Sequence, residues 1–272
     1  IMSGAGEIVQ RDTFDTPADY DSFMKILRRQ VDLNPVEAVQ ISLPGIYDEE
    51  ADRSVFITNI PFLTDKQIVK DMETTLPIFI ANDADIAGLG EYARGFDTPP
   101  NSMILLTLGT GVGSCVVLND QPIMGTEIGH MTLVAEGRSC NCGKKGCMEK
   151  YCSASAIIAD YIEGSGDTEA QSVRYVAEKA REDDFAAYGA FEFFALHMAH
   201  TIVSLVNIFN ITTIRIGGGI SELADLYFPS MMTMVDEMIF PAAKDKTDIQ
   251  VAKLKNDAAF YGGLDWIRRK LK

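Results

Sequence analysis

The 272-residue sequence lacks a basic excess: 24 Lys and Arg stand against 39 Asp and Glu, a formal net charge of −15. A field of that sign repels phosphate backbones and anionic lipid, so neither nucleic acid nor a membrane surface is an expected partner. No apolar run reaches the roughly 18 residues of a membrane span and no signal peptide opens the chain, so a soluble protein is expected. Low-complexity tracts are also missing. Cysteine is sparse, five in all, and two of these, Cys115 and Cys152, fall in an apolar strand pattern and just before a helix. Those two read as inert buried thiols and not as a disulfide, which points to a reducing cytoplasm. What remains is an ordinary globular composition, 47% hydrophobic and 23% charged, with length enough for two domains.

The other three cysteines crowd into eight positions, Cys140, Cys142 and Cys147, among Asn141, Gly143, Lys144, Lys145 and Gly146. That setting is too polar for core thiols. With His130 just upstream they offer one imidazole and three thiolates, the ligand set of a closed, structural tetrahedral Zn²⁺ site. Glu127 and Glu149 bracket the ligands. A metal there would hold two hydrogen-bond acceptors in a fixed relation, an arrangement suited to a polyol; the plainer alternative leaves both glutamates merely solvated.

Periodicity sets out the rest. Residues 1–10 read as strand, Gly4/Gly6 turn and strand, and a chain that begins in mid-strand is expected to be cut from a longer one. Helices are expected over Asp21–Val31, about Asp65–Thr74, from Asn82-Asp83 through Arg94, Ala154–Ile162 with Ser153 as N-cap, Phe185–Phe209 and from Ala258 onward. Strands are expected over Ala38–Leu43, Leu76–Ala81, Ser102–Leu108, Ser114–Leu118 and Thr212–Ile216. Asp97-Thr-Pro-Pro-Asn101 is the best domain boundary, since adjacent prolines cannot continue a helix. His197 and His200 flank the apolar stripe of the long helix without metal-ligand spacing and read as structural.

Three further motifs carry possible chemistry. Asn82-Asp83 stand at a strand-to-helix junction, where ligands bind in α/β sheets. Asp83 reads as a general base for an alcohol and Asn82 as its hydroxyl-binding neighbour, or either is only the helix N-cap. Gly109-Thr110-Gly111-Val112-Gly113 joins two strands, so it is neither a Rossmann nor a P-loop turn; its amides could cradle an anion, or the glycines could serve only a tight hairpin. Gly217-Gly218-Gly219 after an apolar strand suits a flat ligand such as a purine, or is simply a packing turn. Together the two glycine motifs match the anionic and flat ends of a nucleotide.

In this order, Asn82-Asp83, Gly109–Gly113, Glu127-Ile-Gly-His130, Cys140-Asn-Cys-Gly-Lys-Lys-Gly-Cys-Met-Glu149 and Ile216-Gly-Gly-Gly-Ile-Ser221, the chain resembles the ROK family of repressors, open reading frames and sugar kinases along its whole length. The form of the cysteine segment looks like the glucokinase, N-acetylmannosamine kinase and N-acetylglucosamine kinase branch. The resemblance implies an α/β, two-lobed actin-like (ribonuclease H-like) ATPase fold with an interdomain cleft, its lobes at 1–98 and 99–257 and the helix 258–272 returning to the first. It implies phosphorylation of glucose or an N-acetylhexosamine at the 6-hydroxyl by ATP with Mg²⁺, in a cytoplasmic homodimer. Asp83 would be the base. Asn82, Glu127, His130 and Glu149 would bind sugar hydroxyls, with His130 serving metal and sugar through its two ring nitrogens. Gly109, Thr110, Gly111 and Gly113 would hold the phosphates, Gly217, Gly218 and Gly219 would line the adenosine pocket, and His130, Cys140, Cys142 and Cys147 would hold structural Zn²⁺.

Two departures from the family pattern stand out. No Asp-x-Gly-Gly-Thr phosphate loop is present, and Met124-Gly-Thr126 joins almost directly to Glu127 where the family has a longer glycine-rich loop. The alternative reading is a non-catalytic sugar-binding or sugar-sensing member of the family; a repressor would carry a basic helix-turn-helix ahead of the sugar domain.

Overall fold

The computed structural model describes residues 1–57 and 60–272. In chain order the elements are α1 (Tyr20–Leu33), β1 (Val39–Leu43), β2 (Ile46–Asp48), β3 (Arg53–Phe56), α2 (Ile68–Asp71), β4 (Ile78–Asn82), α3 (Asp83–Arg94), β5 (Met103–Leu108), β6 (Val112–Leu118), β7 (Gln121–Ile123), α4 (Ala154–Ser165), α5 (Val173–Arg181), α6 (Phe185–Phe209), β8 (Thr213–Gly217), α7 (Ala224–Met238), β9 (Asp248–Val251) and α8 (Ala258–Lys270). They fall into two compact units, one of residues 1–99 and 256–272, the other of residues 100–255.

In the first unit β1 and β4 pair in parallel, from Val39 opposite Ile78 to Leu43 opposite Asn82. Met24 of α1 packs with Ile41, Leu43 and Ile80 of this pair in one apolar core. The expected opening strands shrink to a single antiparallel bridge between Met2 and Ile8. The helix expected over Asp65–Thr74 is only the one turn of α2: Asp65 and Glu73 both have positive φ, and the Asp52 carboxylate accepts from the Val69 and Lys70 amides at the helix start. Backbone conformation at the two ends thus limits what periodicity suggested.

The chain's last helix, α8, lies against α3 so closely that a Cβ on Gly90 would overlap the Ala258 carbonyl and one on Gly262 the Ile86 carbonyl. Only glycine permits that approach. Asn82 caps α3, accepting from the Ala84 amide at 2.8 Å and the Asp85 amide at 3.3 Å, so the strand passes into the helix without an intervening loop.

The second unit holds a five-stranded sheet in the order β7-β6-β5-β8-β9, with the β5-β6-β7 meander antiparallel and β8 and β9 parallel to β5. The strand Met103–Leu108 is apolar almost throughout and largely buried, as expected for a central strand covered on both faces. Helix α6 is 25 residues long and apolar enough to cross a membrane by length and composition. It is instead a core helix: Phe191, Phe194, Met198 and Ile202 are buried in the main cluster. Each such large side chain contributes about 1.5–3 kcal/mol by leaving water. Ser153 caps α4 by accepting from the Ala156 amide, and Cys115 and Cys152 are buried.

Candidate functional site

At the carboxyl end of β4 the two residues singled out by sequence divide their duties. Asn82 is the α3 cap, and its amide also donates to the Gly45 carbonyl at 3.1 Å. Asp83 is the first residue of the helix, and its side chain remains solvent-accessible. Surrounding protein still removes enough water to raise the carboxyl's pKa, against the lowering pull of the Ala84 amide, which donates to its Oδ1 at 2.8 Å. The opposing pulls leave a carboxylate more basic than an ordinary one at a helix start, which favours proton acceptance.

In the second unit the topology brings the two glycine motifs together. β5 and β8 are parallel neighbours with Thr107 opposite Gly217, so the turn after β5 and the turn after β8 emerge at the same edge of the sheet. A Cβ on Gly218, whose φ is +82°, would overlap the backbone of Leu108. The β5–β6 turn is tighter than the motif suggests: Gly109, Thr110 and Gly111 form it, with the Gly109 amide donating to the Gly111 carbonyl at 2.9 Å, while Gly113 already pairs with Thr107 inside β6. Two groups from the start of α4 tie the turn down, the Ala154 amide to the Gly109 carbonyl and the Ser155 hydroxyl to the Thr110 carbonyl.

Against the same turn lies Glu149. Its Oε2 accepts from the Val112 amide at 3.3 Å, and a Cβ on Gly111 would fall onto that carboxylate. Glu127 and His130 bound a single 3₁₀ turn held to β6 by Ser114, whose hydroxyl donates to the Thr126 carbonyl and accepts from the Ile128 amide. A Cβ on Gly129 would overlap the Val112 carbonyl, so this turn also depends on close backbone approach.

The ligand atoms of His130, Cys140, Cys142 and Cys147 all lie within 4.8 Å of one another. The Cys140 Sγ is 3.7 Å from the His130 Nδ1, and the Cys142 and Cys147 sulfurs are 3.6 Å apart. Four ligands around a tetrahedral zinc sit roughly 3.5–3.8 Å apart, given bonds of about 2.0–2.3 Å, so donor set and spacing both fit. The backbone prepares the cluster: Gly143 and Gly146 take positive φ, and the Cys140 amide donates to the Lys144 carbonyl at 2.8 Å. Burial pushes the Cys147 thiol up to about 12, with the neighbouring cysteines adding to the shift, while the Lys144 amide lowers the Cys142 thiol. Three thiolates this close would need a cation to offset their charge, which a divalent metal could supply.

Sequence reasoning missed the residues that hold the cysteine loop to the helices. Arg138 pairs with Asp160 and lies over the Tyr151 ring at 5.0 Å, while the Tyr151 hydroxyl accepts from the Arg138 amide at 2.7 Å. Tyr151 in turn stacks on His197 at 4.8 Å, and His197 Nδ1 lies 2.8 Å from the Phe193 carbonyl, the structural role expected for it. These contacts join residues far apart in sequence; only Ser114, a small polar residue inside an apolar strand, gave a readable signal.

A mixed sheet with glycine turns at its strand ends in one unit, and Asp83 at a strand-to-helix junction in the other, define the class as an actin-like ATPase fold. The ROK family model matches residues 1–270, and the chain belongs to that family. It is 36% identical over 209 residues to a glucokinase of Halalkalibacterium halodurans, covering 70% of this chain and 63% of that protein. A glucokinase of Thermotoga maritima is 27% identical over 296 residues, covering all of this chain and 93% of its own length. A xylose repressor of Bacillus spizizenii is 25% identical over 233 residues, 82% of this chain and 59% of the repressor. The crystal structure of a ROK family glucokinase from Streptomyces griseus, in complex with glucose and AMPPNP, superposes with a TM-score of 0.76 at 24% identity, covering 93% of this chain and 90% of that one.

Proposed function

We propose that the protein is an ATP-dependent hexose kinase, transferring the γ-phosphoryl group to the 6-hydroxyl of glucose or an N-acetylhexosamine. The observation that carries this reading is the meeting of the Gly109–Gly111 turn, the Gly217–Gly219 turn and the Glu149 carboxylate at one edge of the sheet, in a family whose full-length relatives include glucokinases. Asp83 accepts the hydroxyl proton as the phosphoryl group departs from ADP, a step in which positioning matters more than strong basicity. Asn82, Glu127, His130 and Glu149 hold the sugar hydroxyls. Gly109, Thr110, Gly111 and Gly113 hold the nucleotide phosphates, and Gly217, Gly218 and Gly219 leave room for the adenosine. Mg²⁺, carried in with ATP, would neutralise charge on the phosphates. Zn²⁺ on His130, Cys140, Cys142 and Cys147 would be structural, fixing Glu149 two residues beyond its last ligand. We place the protein in the reducing cytoplasm, as a homodimer.

Release of ADP dependent on added hexose, with ³¹P NMR locating the phosphate at O6, tests the reading. Tight hexose binding without ADP release would favour the second reading, a sugar sensor, which the similarity to a xylose repressor supports. One zinc per chain is expected by metal analysis, and Cys142→Ser should lose it with a marked drop in thermal stability, because a structural site contributes directly to folding.

A further inference from the structure

We infer that the Val112 amide is a further phosphate-binding donor, and that the Glu149 carboxylate occupies it in the absence of ligands. Two observations meet here. Glu149 Oε2 accepts from the Val112 N–H at 3.3 Å, and the same carboxylate fills the space a side chain on Gly111 would need. An anion of this chain therefore sits on the turn that the proposed kinase reading gives to the nucleotide's anion. A carboxylate and a phosphoryl oxygen are both acceptors for a backbone N–H, and one N–H cannot give a full hydrogen bond to both.

The competition has a direction. Glu149 is also the residue proposed to grip a sugar hydroxyl, so a bound hexose gives its carboxylate a new partner and draws it from Val112. The freed amide then faces the nucleotide without a negative charge beside it. Sugar bound first raises the affinity for nucleotide, and by linkage nucleotide raises the affinity for sugar by the same factor. The inference rests on the kinase reading for the identity of the two ligands.

Calorimetric titration of the full chain with the magnesium complex of AMPPNP, without sugar, tests it. Glu149→Ala is expected to bind roughly two- to tenfold more tightly than the wild type, the scale of releasing one hydrogen bond. Glu149→Gln, which keeps an acceptor but not the charge, should fall between. Glu136→Ala removes an exposed carboxylate that pairs with Lys145, outside the residues assigned to either ligand, and should leave nucleotide affinity unchanged. Saturating hexose should tighten nucleotide binding to the wild type by a similar factor. Unchanged or weaker nucleotide binding by both Glu149 variants, with zinc content and melting temperature like the wild type, would overturn the inference and leave the kinase reading standing. An equal gain from Glu136→Ala would also overturn it, since the effect would then be one of overall charge. A wild type that binds no AMPPNP with or without hexose would overturn the kinase reading and this inference with it.

Discussion

Asp83 carries a conflict that a single substitution can resolve. Burial raises its pKa while the helix amides pull it down, and the raised side wins. Because an acid whose folded pKa is raised ionises first in the unfolded chain, its ionisation costs stability as pH rises past the unfolded value. Asp83→Asn is therefore expected to melt no lower than the wild type near neutral pH. It should nevertheless lose ~10²-fold or more of turnover, since the amide cannot take the hydroxyl proton. In the wild type, kcat/KM should fall on the acid side with an apparent pKa above that of an ordinary aspartate, and hexose binding should persist in the variant. Near wild-type turnover in Asp83→Asn would reduce the residue to a helix-start carboxylate.

At the scale of elements, legibility followed the distance in sequence between the groups that decide a feature. The His/Cys cluster was readable because its three cysteines lie within eight positions and the loop glycines between them are local. Ser153 as the α4 cap and the α6 core stripe were readable for the same reason, since capping and helical periodicity are set within a few residues. Helix α2 was overextended because the positive φ at Asp65 and Glu73 left no mark in the hydrophobic pattern. Short strands such as β7 and β9 offer too few residues for alternation to show. The contact of Glu149 with Val112, 37 positions away, and the glycine contacts of α3 with α8 depend on the finished fold. That helix contact makes a sharp prediction. Gly262→Ala would place a methyl on the Ile86 carbonyl, and backbone cannot move aside as a side chain can. A loss of roughly 1–3 kcal/mol, the cost of overpacking, is expected by urea unfolding. Gly189→Ala in α6, where a Cβ meets nothing within 4 Å, is the matched control and should be neutral or slightly stabilising. Equal effects at the two positions would mean that the helices part at little cost.

For the molecule as a whole, the decisive feature is that the first unit is discontinuous: residues 1–99 are completed only by 256–272, so the second unit is inserted between two parts of the first. Helix α8 is the completing piece, packed on α3 through Gly90 and Gly262 and on β1 where Gly263 meets Gln40. The second unit, residues 100–255, has its own sheet, its own core around α6 and all four residues of the His/Cys cluster. The cluster around α6 contains no residue of α8. A chain ending at Lys255 should therefore lose the first unit selectively. Exposed apolar faces of α3 and β1 would leave residues 1–99 open to protease, whereas a fragment spanning about residues 100–255 should survive, still holding one zinc. Limited proteolysis with mass spectrometry reads the fragment, and metal analysis reads the zinc. Hydrogen exchange should show protection lost in α3 and β4 but kept in β5, β8 and α6, because cooperative opening follows the units that share a core. Protection lost throughout the truncated chain would show that the two units fold as one, and that the insertion has no stability of its own.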